Sequence, residues 1–388
     1  MGKKENRELR KILRKKKIMR SAAAVFANFI RITFKPLHWY GRKIGMGDFS
    51  CNLLIPISEA AQRESNCYVT YNLYPKKAEN QNEWLYLEGE YNEKWAVVLQ
   101  GPIRTEENFT LETVRFYKKI YPKVKVIVST WAGEDENAVK QLKKEENCIV
   151  VVNELPQYPG ISNINYQIVS SKYGVEEAKK VGAQYVLKTR TDSRINMPGI
   201  FDVLSELIEE FVLDYSNQSK RIIFFNAYLF LPFQEFGMFY AGSIDDMEKF
   251  FDAKLYPPTE KVESLGNVLL AKGVSYRQVF EKKNALNYLA SQYFLKMGEN
   301  VECNISEWWK ILAKRTICLP VAFLRPLWPK YDYNHEESDM CWLYRRGTLG
   351  QTGLDQTMID FAGWNMMRSG KMKLNPTEYE YLLDQPLK

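Results

Sequence analysis

The chain has 388 residues, 45% of them hydrophobic and 26% charged, the balance of a soluble globular protein with one large core and additions. Its net charge of +7 sits entirely in residues 1 to 17, which hold nine Lys or Arg and two Glu, so the remainder is neutral and a nucleic-acid-binding body is not indicated. Six cysteines without a C-x-x-C pair, and only His38 and His335 as histidines, argue against a structural zinc site and a histidine-dependent hydrolase. Scattered cysteines fit a reducing cytosol.

Residues 3 to 17 read as a basic helix with Leu9, Ile12 and Leu13 on one side. The uncharged run that follows, residues 21 to 30, is too short to span a bilayer, which takes about 20 residues. A basic start and an apolar run also make the layout of a signal peptide, but no clear cleavage site follows. Val25, Phe26, Phe29 and Ile30 recur at helical spacing between Arg20, Arg31 and Lys35, as in an interfacial helix held on anionic lipid. A helix docked on the domain gives the same pattern. Residues 1–35 are thus expected to be a basic amphipathic segment that associates with an anionic membrane surface, at the inner face of the cytoplasmic membrane. Residues 36–92 are poorly patterned and read as an irregular extension.

Regular patterning begins with a buried strand, Trp95 to Leu99, stopped by the turn Gln100-Gly101-Pro102. A helix over about 106–120 carries Leu111, Val114, Tyr117 and Ile120 inward. Next come a strand over 124–128 closed by Ser129-Thr130-Trp131, a helix over about 135–144, and a strand over 149–152. The polar turn from Pro159 through Ser162, Asn163 and Asn165 opens a helix over about 163–181, and residues 183–187 form a fourth strand. Strands alternating with helices of this size specify a Rossmann-like, doubly wound α/β sheet. The fourth strand runs into Lys188, Arg190, Asp192 and Arg194, which share one parity and hence one face of an extended chain. Ligands of such sheets sit at the carboxyl ends of the strands, although charges at a strand end are often merely solvated.

Beyond Gly199 an amphipathic helix presents Phe201, Leu204, Leu207, Ile208 and Phe211. Residues 221–231 read as a strand or paired strands, and Ser243 with Asp246 as a helix start. Residues 281–297 look helical. Residues 308–330 mix Trp, aliphatics and basic residues with three prolines, suiting either a packed subdomain or a second membrane-facing surface. The expected organisation is therefore a domain over 93–300 and a helical or irregular C-terminal extension over 301–388, packed on the domain or on membrane.

Gln100-Gly101-Pro102, Ser129-Thr130-Trp131, the turn from Pro159-Gly160 to Gln167, and Lys188-Thr189-Arg190-Thr191-Asp192-Ser193-Arg194, in that order, resemble the WavE lipopolysaccharide-synthesis family of bacterial glycosyltransferases of the GT-A type. The resemblance covers about residues 93 to 300. It implies a GT-A-type mixed sheet and transfer of a sugar from a nucleotide-sugar donor to a lipid-linked or glycan acceptor of a growing surface polymer: lipopolysaccharide, O-antigen or capsule. In such a fold Gln100, Gly101, Pro102, Ser129, Thr130, Trp131, Ser162, Asn163 and Asn165 would cradle the nucleotide, with free N–H groups at the helix start facing phosphate. Asp192 takes the place of the metal-binding D-x-D with one carboxylate instead of two. It could hold Mg2+ or Mn2+ with donor phosphates and water. Alternatively Lys188, Arg190 and Arg194 could neutralise the leaving diphosphate with less need of metal. A carboxylate base is expected among Glu235, Asp245 and Asp246, although Asp245 and Asp246 equally suit helix N-terminal charges. A nucleotidyl- or phosphotransferase of surface-polymer assembly, or a non-catalytic scaffold, would share many of these features.

Overall fold

The six residues of β1, Trp95–Gln100, are all buried, and the apolar run Trp95 to Leu99 within it is what a central parallel strand covered on both faces requires. The computed structural model describes residues 74–80, 92–213, 217–235, 237–258, 275–281, 285–329 and 357–385, with scattered positions between 21 and 63. Residues 1–73 and 74–388 form separate units. The expectations for residues 1–20, and for Phe26, Ile30 and Arg31, lie outside the described residues.

In the second unit β1 pairs in parallel with β2, Lys125–Trp131, and β4, Tyr185–Arg190; β2 pairs in parallel with β3, Cys148–Asn153. Among the described residues the sheet has seven strands, in the order β3-β2-β1-β4-β6-β5-β7. β6, Tyr240–Ser243, runs antiparallel to both β4 and β5, Ile222–Phe225, which makes the sheet mixed. Helices cover it: α1 Phe109–Ile120, α2 Glu136–Lys144, α3 Ile164–Lys180, α4 Ile200–Glu210 and α5 Ile244–Phe251. The protein therefore has the expected Rossmann-like α/β fold.

The register places Gln100 beside both Ser129 and Arg190, so the ends of β1, β2 and β4 lie side by side. α3 packs closely behind them because Gly174 has no side chain. A Cβ there would stand 2.4 Å from Val98 Cγ1 and 3.2 Å from Ser129 Cβ.

The C-terminal region is more integrated than the sequence suggests. After α6, Tyr276–Glu281, and α7, Ala285–Lys296, helix α8, Ile305–Arg315, leads into β7, Thr316–Leu319, which pairs in parallel with β5 inside the sheet. No boundary falls at residue 300. Trp308 and Trp309 are buried, and their indole N–H groups donate to the carbonyls of Tyr228 and Leu229, both at 2.7 Å. Those aromatics are core rather than membrane-facing. Trp364 of α9, Phe361–Arg368, is also fully buried. Among the described residues no helix is long and apolar enough to cross a membrane.

Candidate functional site

The first part of the cleft is the end of β1. Gln100 is buried, and its Oε1 accepts from the Ser170 hydroxyl of α3 at 2.8 Å. Gly101 has φ +117° and donates its N–H to the Ser129 carbonyl at 3.0 Å. A Cβ on Gly101 would press on Thr191 Oγ1 at 3.2 Å, so a glycine is required where the chain after β1 passes the chain after β4. Thr191 locks that crossing: its hydroxyl donates to the Pro102 carbonyl at 2.6 Å, and its carbonyl accepts from Thr110 Oγ1 at 2.9 Å.

At the end of β2, Ser129 and Thr130 are buried, and the Asn153 amide donates to Ser129 Oγ at 2.9 Å and to the Thr130 carbonyl at 2.8 Å. Thr130 Oγ1 donates to Glu134 at 2.9 Å. The Trp131 ring packs on Tyr166 of α3, with ring centroids 5.5 Å apart. Ser162 and Asn163 are exposed at the start of α3 in left-handed conformation, φ +48° and +62°. Asn165 differs from them. Its amide nitrogen donates to the Tyr158 and Tyr256 carbonyls, and its oxygen accepts from the Tyr256 N–H at 2.6 Å. It clamps two loops together and presents no group to the cleft.

The four charged residues at the end of β4 do not share one face. The strand stops at Arg190 and the chain turns, Ser193 N–H donating back to the Arg190 carbonyl at 3.2 Å. Alternation holds only on extended backbone, so Arg194 departs from the series. It is fully buried between the Phe109 and Phe116 rings, 5.1 Å from each. Its guanidinium donates to the Pro75 carbonyl at 2.7 Å and to Thr113 Oγ1 at 3.2 Å. Burial lowers its pKa to about 10. The expectation that Arg194 binds phosphate is thereby corrected, because it holds residues 75–76 onto α1.

Lys188 is also fully buried. Its ammonium donates to the Gly237 carbonyl at 3.0 Å and lies 5.3 Å from the centre of the Tyr240 ring. Burial, with a smaller effect from Arg190, lowers its pKa to about 7. Gln167 of α3 donates to the same Gly237 carbonyl at 2.8 Å. The Gly237 N–H in turn donates to Glu235 Oε2. Glu235 is 1% exposed, and its Oε1 makes no hydrogen bond of standard geometry. Burial raises its pKa to about 7 against the opposing pull of the nearby Tyr240 hydroxyl, the Gly237 amide and Lys188. It lies beyond the end of β5, on the cleft side of the sheet.

Asp245 and Asp246 lie at the opposite end. β6 runs back along β4, so that Tyr240 is opposite Lys188 and Ser243 opposite Tyr185, and α5 starts beside the amino end of β4. Asp245 pairs with Lys179 at 3.2 Å on the surface. Asp246 is buried and accepts from Ser219 Oγ at 2.6 Å, Lys220 N–H at 2.7 Å and Ser243 Oγ at 2.6 Å. Both are corrected to structural residues, and Glu235 is left as the carboxylate of the three at the cleft end.

Arg190 and Asp192 form the remaining unit. Arg190 Nε and Nη2 donate to the two Asp192 oxygens at 2.8 and 2.9 Å, a bidentate pair. The guanidinium lies 5.5 Å from the Trp328 ring centre. Trp328 follows a segment returning from β7, where Leu327 exchanges backbone hydrogen bonds with Arg194 at 2.9 and 2.7 Å. Local sequence gives no signal for Trp328, because its contact spans more than a hundred residues. Gln167, part of the predicted turn but not expected as a site residue, also acts through a contact far along the chain, 70 residues away at Gly237.

A divalent cation does not fit this set. Both Asp192 oxygens already accept from Arg190, the Thr191 hydroxyl is turned to Pro102, and the Ser193 hydroxyl pairs with Thr189 Oγ1 at 2.8 Å. Among the described residues no group of three His, Cys, Asp or Glu could hold a metal. A hard cation prefers several oxygen ligands and here would meet a guanidinium.

The family model for WavE lipopolysaccharide synthesis matches residues 95–294, just over half of the chain, and takes in every cleft residue above except Trp328. The chain belongs to the WavE lipopolysaccharide synthesis family. No curated relative matches it. Membership assigns the WavE chain a role in lipopolysaccharide biosynthesis and makes the strand-end cleft the place to look for its chemistry.

Proposed function

We propose that this WavE protein is a glycosyltransferase that moves a sugar from a nucleotide-sugar donor to a growing bacterial surface glycan. The observation that carries the reading is the presence together, at one end of one sheet, of a partly exposed guanidinium on Arg190 and a buried carboxyl on Glu235 whose pKa is raised to about 7. Group transfer from a diphosphate needs both: a cation for the departing charge and a base for the incoming hydroxyl.

In this reading the end of β1 and the Ser129-Thr130-Trp131 segment receive the nucleotide, with the Trp131–Tyr166 pair as an aromatic wall. Arg190 meets the diphosphate. Glu235 accepts the proton of the acceptor hydroxyl as its oxygen bonds to the anomeric carbon, and the bond from that carbon to the diphosphate breaks with its electron pair leaving on phosphate. A base with a pKa close to the working pH is efficient in both holding and releasing the proton. Because Glu235 is buried, the turn around Gly237 must open for the acceptor to reach it.

The first unit supports work at a membrane surface. The described positions 21, 25, 29, 32–36, 39, 40 and 43 are helical, and Val25, Phe29, Ile32, Trp39 and Tyr40 are exposed by 58–70%. With the basic residues 1 to 17, such a face suits an anionic bilayer, where lipid-linked acceptors lie.

A screen of UDP-, GDP-, CMP- and dTDP-linked sugars by calorimetry tests the function. Binding of one donor class, and acceptor-dependent release of its nucleotide, is the expected result. Transfer of the nucleotidyl group instead, or binding of none of the donors, would overturn it.

A further inference from the structure

Three cations were available at the end of β4, and the structure separates them. Lys188 and Arg194 are both fully buried and hydrogen-bonded to backbone carbonyls. Arg190 alone of the three reaches the cleft surface, with 29% of its side chain exposed. It is held from two sides. Asp192 takes one edge of the guanidinium through Nε and Nη2, and Trp328 lies against it at 5.5 Å.

We propose that Arg190 is a built-in replacement for a divalent cation, so that this protein binds the donor diphosphate and transfers the sugar without metal. The inference rests on the glycosyltransferase reading. The donor set at the turn after β4 is wrong for a metal, because its single carboxylate is chelated and its neighbouring hydroxyls face inward. It is right for an anion. A guanidinium is a permanently charged planar fork of N–H donors, and Asp192 grips this one along a single edge, Nε and Nη2. Diphosphate oxygens are matched to that planar fork. Asp192 is then a positioning residue: it orients the guanidinium and offsets part of its charge. Trp328 is a second one, contributing a flat apolar face on which the fork cannot rotate freely.

The test uses the full-length protein and measures binding of UDP, GDP, CDP and dTDP, each beside its nucleoside, in EDTA and in excess Mn2+. The expected result is that one diphosphate binds with the same Kd, within about twofold, in both conditions. Arg190→Ala should weaken that diphosphate at least tenfold while leaving the nucleoside unchanged. Asp192→Asn and Trp328→Phe should each weaken the diphosphate severalfold, again without moving the nucleoside, a split that a general loss of structure would not give. Arg190→Lys guards against misfolding of the alanine variant and should bind diphosphate metal-independently but more weakly than native protein. Diphosphate binding that appears only with Mn2+, or a Mn2+ site seen by electron paramagnetic resonance and lost in Asp192→Asn, overturns the inference while leaving the donor reading standing. Failure of every diphosphate in both conditions overturns both.

Discussion

Lys188 and Glu235 meet through a single residue, Gly237. The lysine ammonium donates to its carbonyl at 3.0 Å, and its N–H donates to the Glu235 carboxyl. Two buried ionisable side chains from distant parts of the sequence are thus tied to one turn, and Gln167 of α3 holds the same carbonyl at 2.8 Å. Any movement that exposes Glu235 to an acceptor must loosen at least one of these bonds.

The pH dependence follows. The Glu235 pKa is raised from 4.5 to about 7, so the stability contributed by its neutral form is complete below 4.5 and is lost as pH rises through about 7. The Lys188 pKa is depressed from 10.5 to about 7, so its contribution is present above 10.5 and is lost as pH falls through about 7. Glu235→Gln removes only the first. Relative to native protein, its unfolding free energy in urea should therefore rise between pH 5 and pH 9. Native turnover should climb with pH through about 7, and the variant should lose about 10² or more in turnover. A variant with native turnover would remove Glu235 from the chemistry.

Arg194 should matter for folding and not for donor. Arg194→Ala leaves the Pro75 carbonyl without its donor and opens space between two aromatic rings. Loss of buried hydrogen bonds together with packing is expected to cost about 3 kcal/mol in denaturant unfolding. Folded variant should bind nucleotide as native protein does; a selective loss of diphosphate affinity would return Arg194 to the cleft.

How far the sequence carried the structure depends on the range of each interaction. β1, β2, β3 and β4 were legible as apolar runs bounded by turns, and their ends were correctly located as a polar row. Arg194 was misplaced because parity says nothing once the strand ends at Arg190. Asp245 and Asp246 were misplaced because the reversal of β6 against β4 carries α5 to the other end of the sheet, which no local pattern reports. β7 was missed because TICL is four residues between a helix and a proline. Trp328 and Gln167 carry no local signal at all; their roles arise from packing against Arg190 and Gly237.

The two aspartates at the start of α5 give a paired prediction. Asp246→Ala deprives Ser219, Lys220 and Ser243 of a buried acceptor and should cost about 2–4 kcal/mol. Asp245→Asn breaks only an exposed ion pair with Lys179 and should change stability by less than about 1 kcal/mol. Thermal melts decide both, and turnover per folded molecule should be native in each. A turnover loss in Asp245→Asn without a stability change would contradict its placement.

Gly174→Ala sets two effects against each other. Alanine favours the middle of a helix over glycine by about 1 kcal/mol. Its Cβ would meet Val98 Cγ1 at 2.4 Å and Ser129 Cβ at 3.2 Å, and overpacking of that kind costs about 1–3 kcal/mol. Overpacking should win, giving net destabilisation in urea. Because α3 would be pushed off β1 and β2, it should also weaken the Ser170 hydroxyl's bond to Gln100, now 2.8 Å, and with it nucleotide affinity. A stabilised variant would mean that α3 can shift freely at this point.

The last prediction concerns the first unit. Val25, Phe29, Ile32, Trp39 and Tyr40 are exposed on helical positions, a costly arrangement in water unless another surface takes them. The strongly basic residues 1 to 17 identify that surface as anionic, since each Lys or Arg near such a bilayer contributes about 1 kcal/mol. The apolar face adds an attraction that salt does not screen, whereas the basic part weakens as ionic strength rises. Full-length protein should therefore sediment with phosphatidylglycerol vesicles, partly release at high salt, and bind neutral phosphatidylcholine vesicles more weakly at the same concentration. Replacing Phe29, Ile32 and Trp39 together by Ser should abolish the salt-resistant fraction. Donor binding in solution should be untouched, because β1 and the cleft belong to the other unit. Equal sedimentation of the triple variant and native protein at high salt would show that this face does not enter the bilayer.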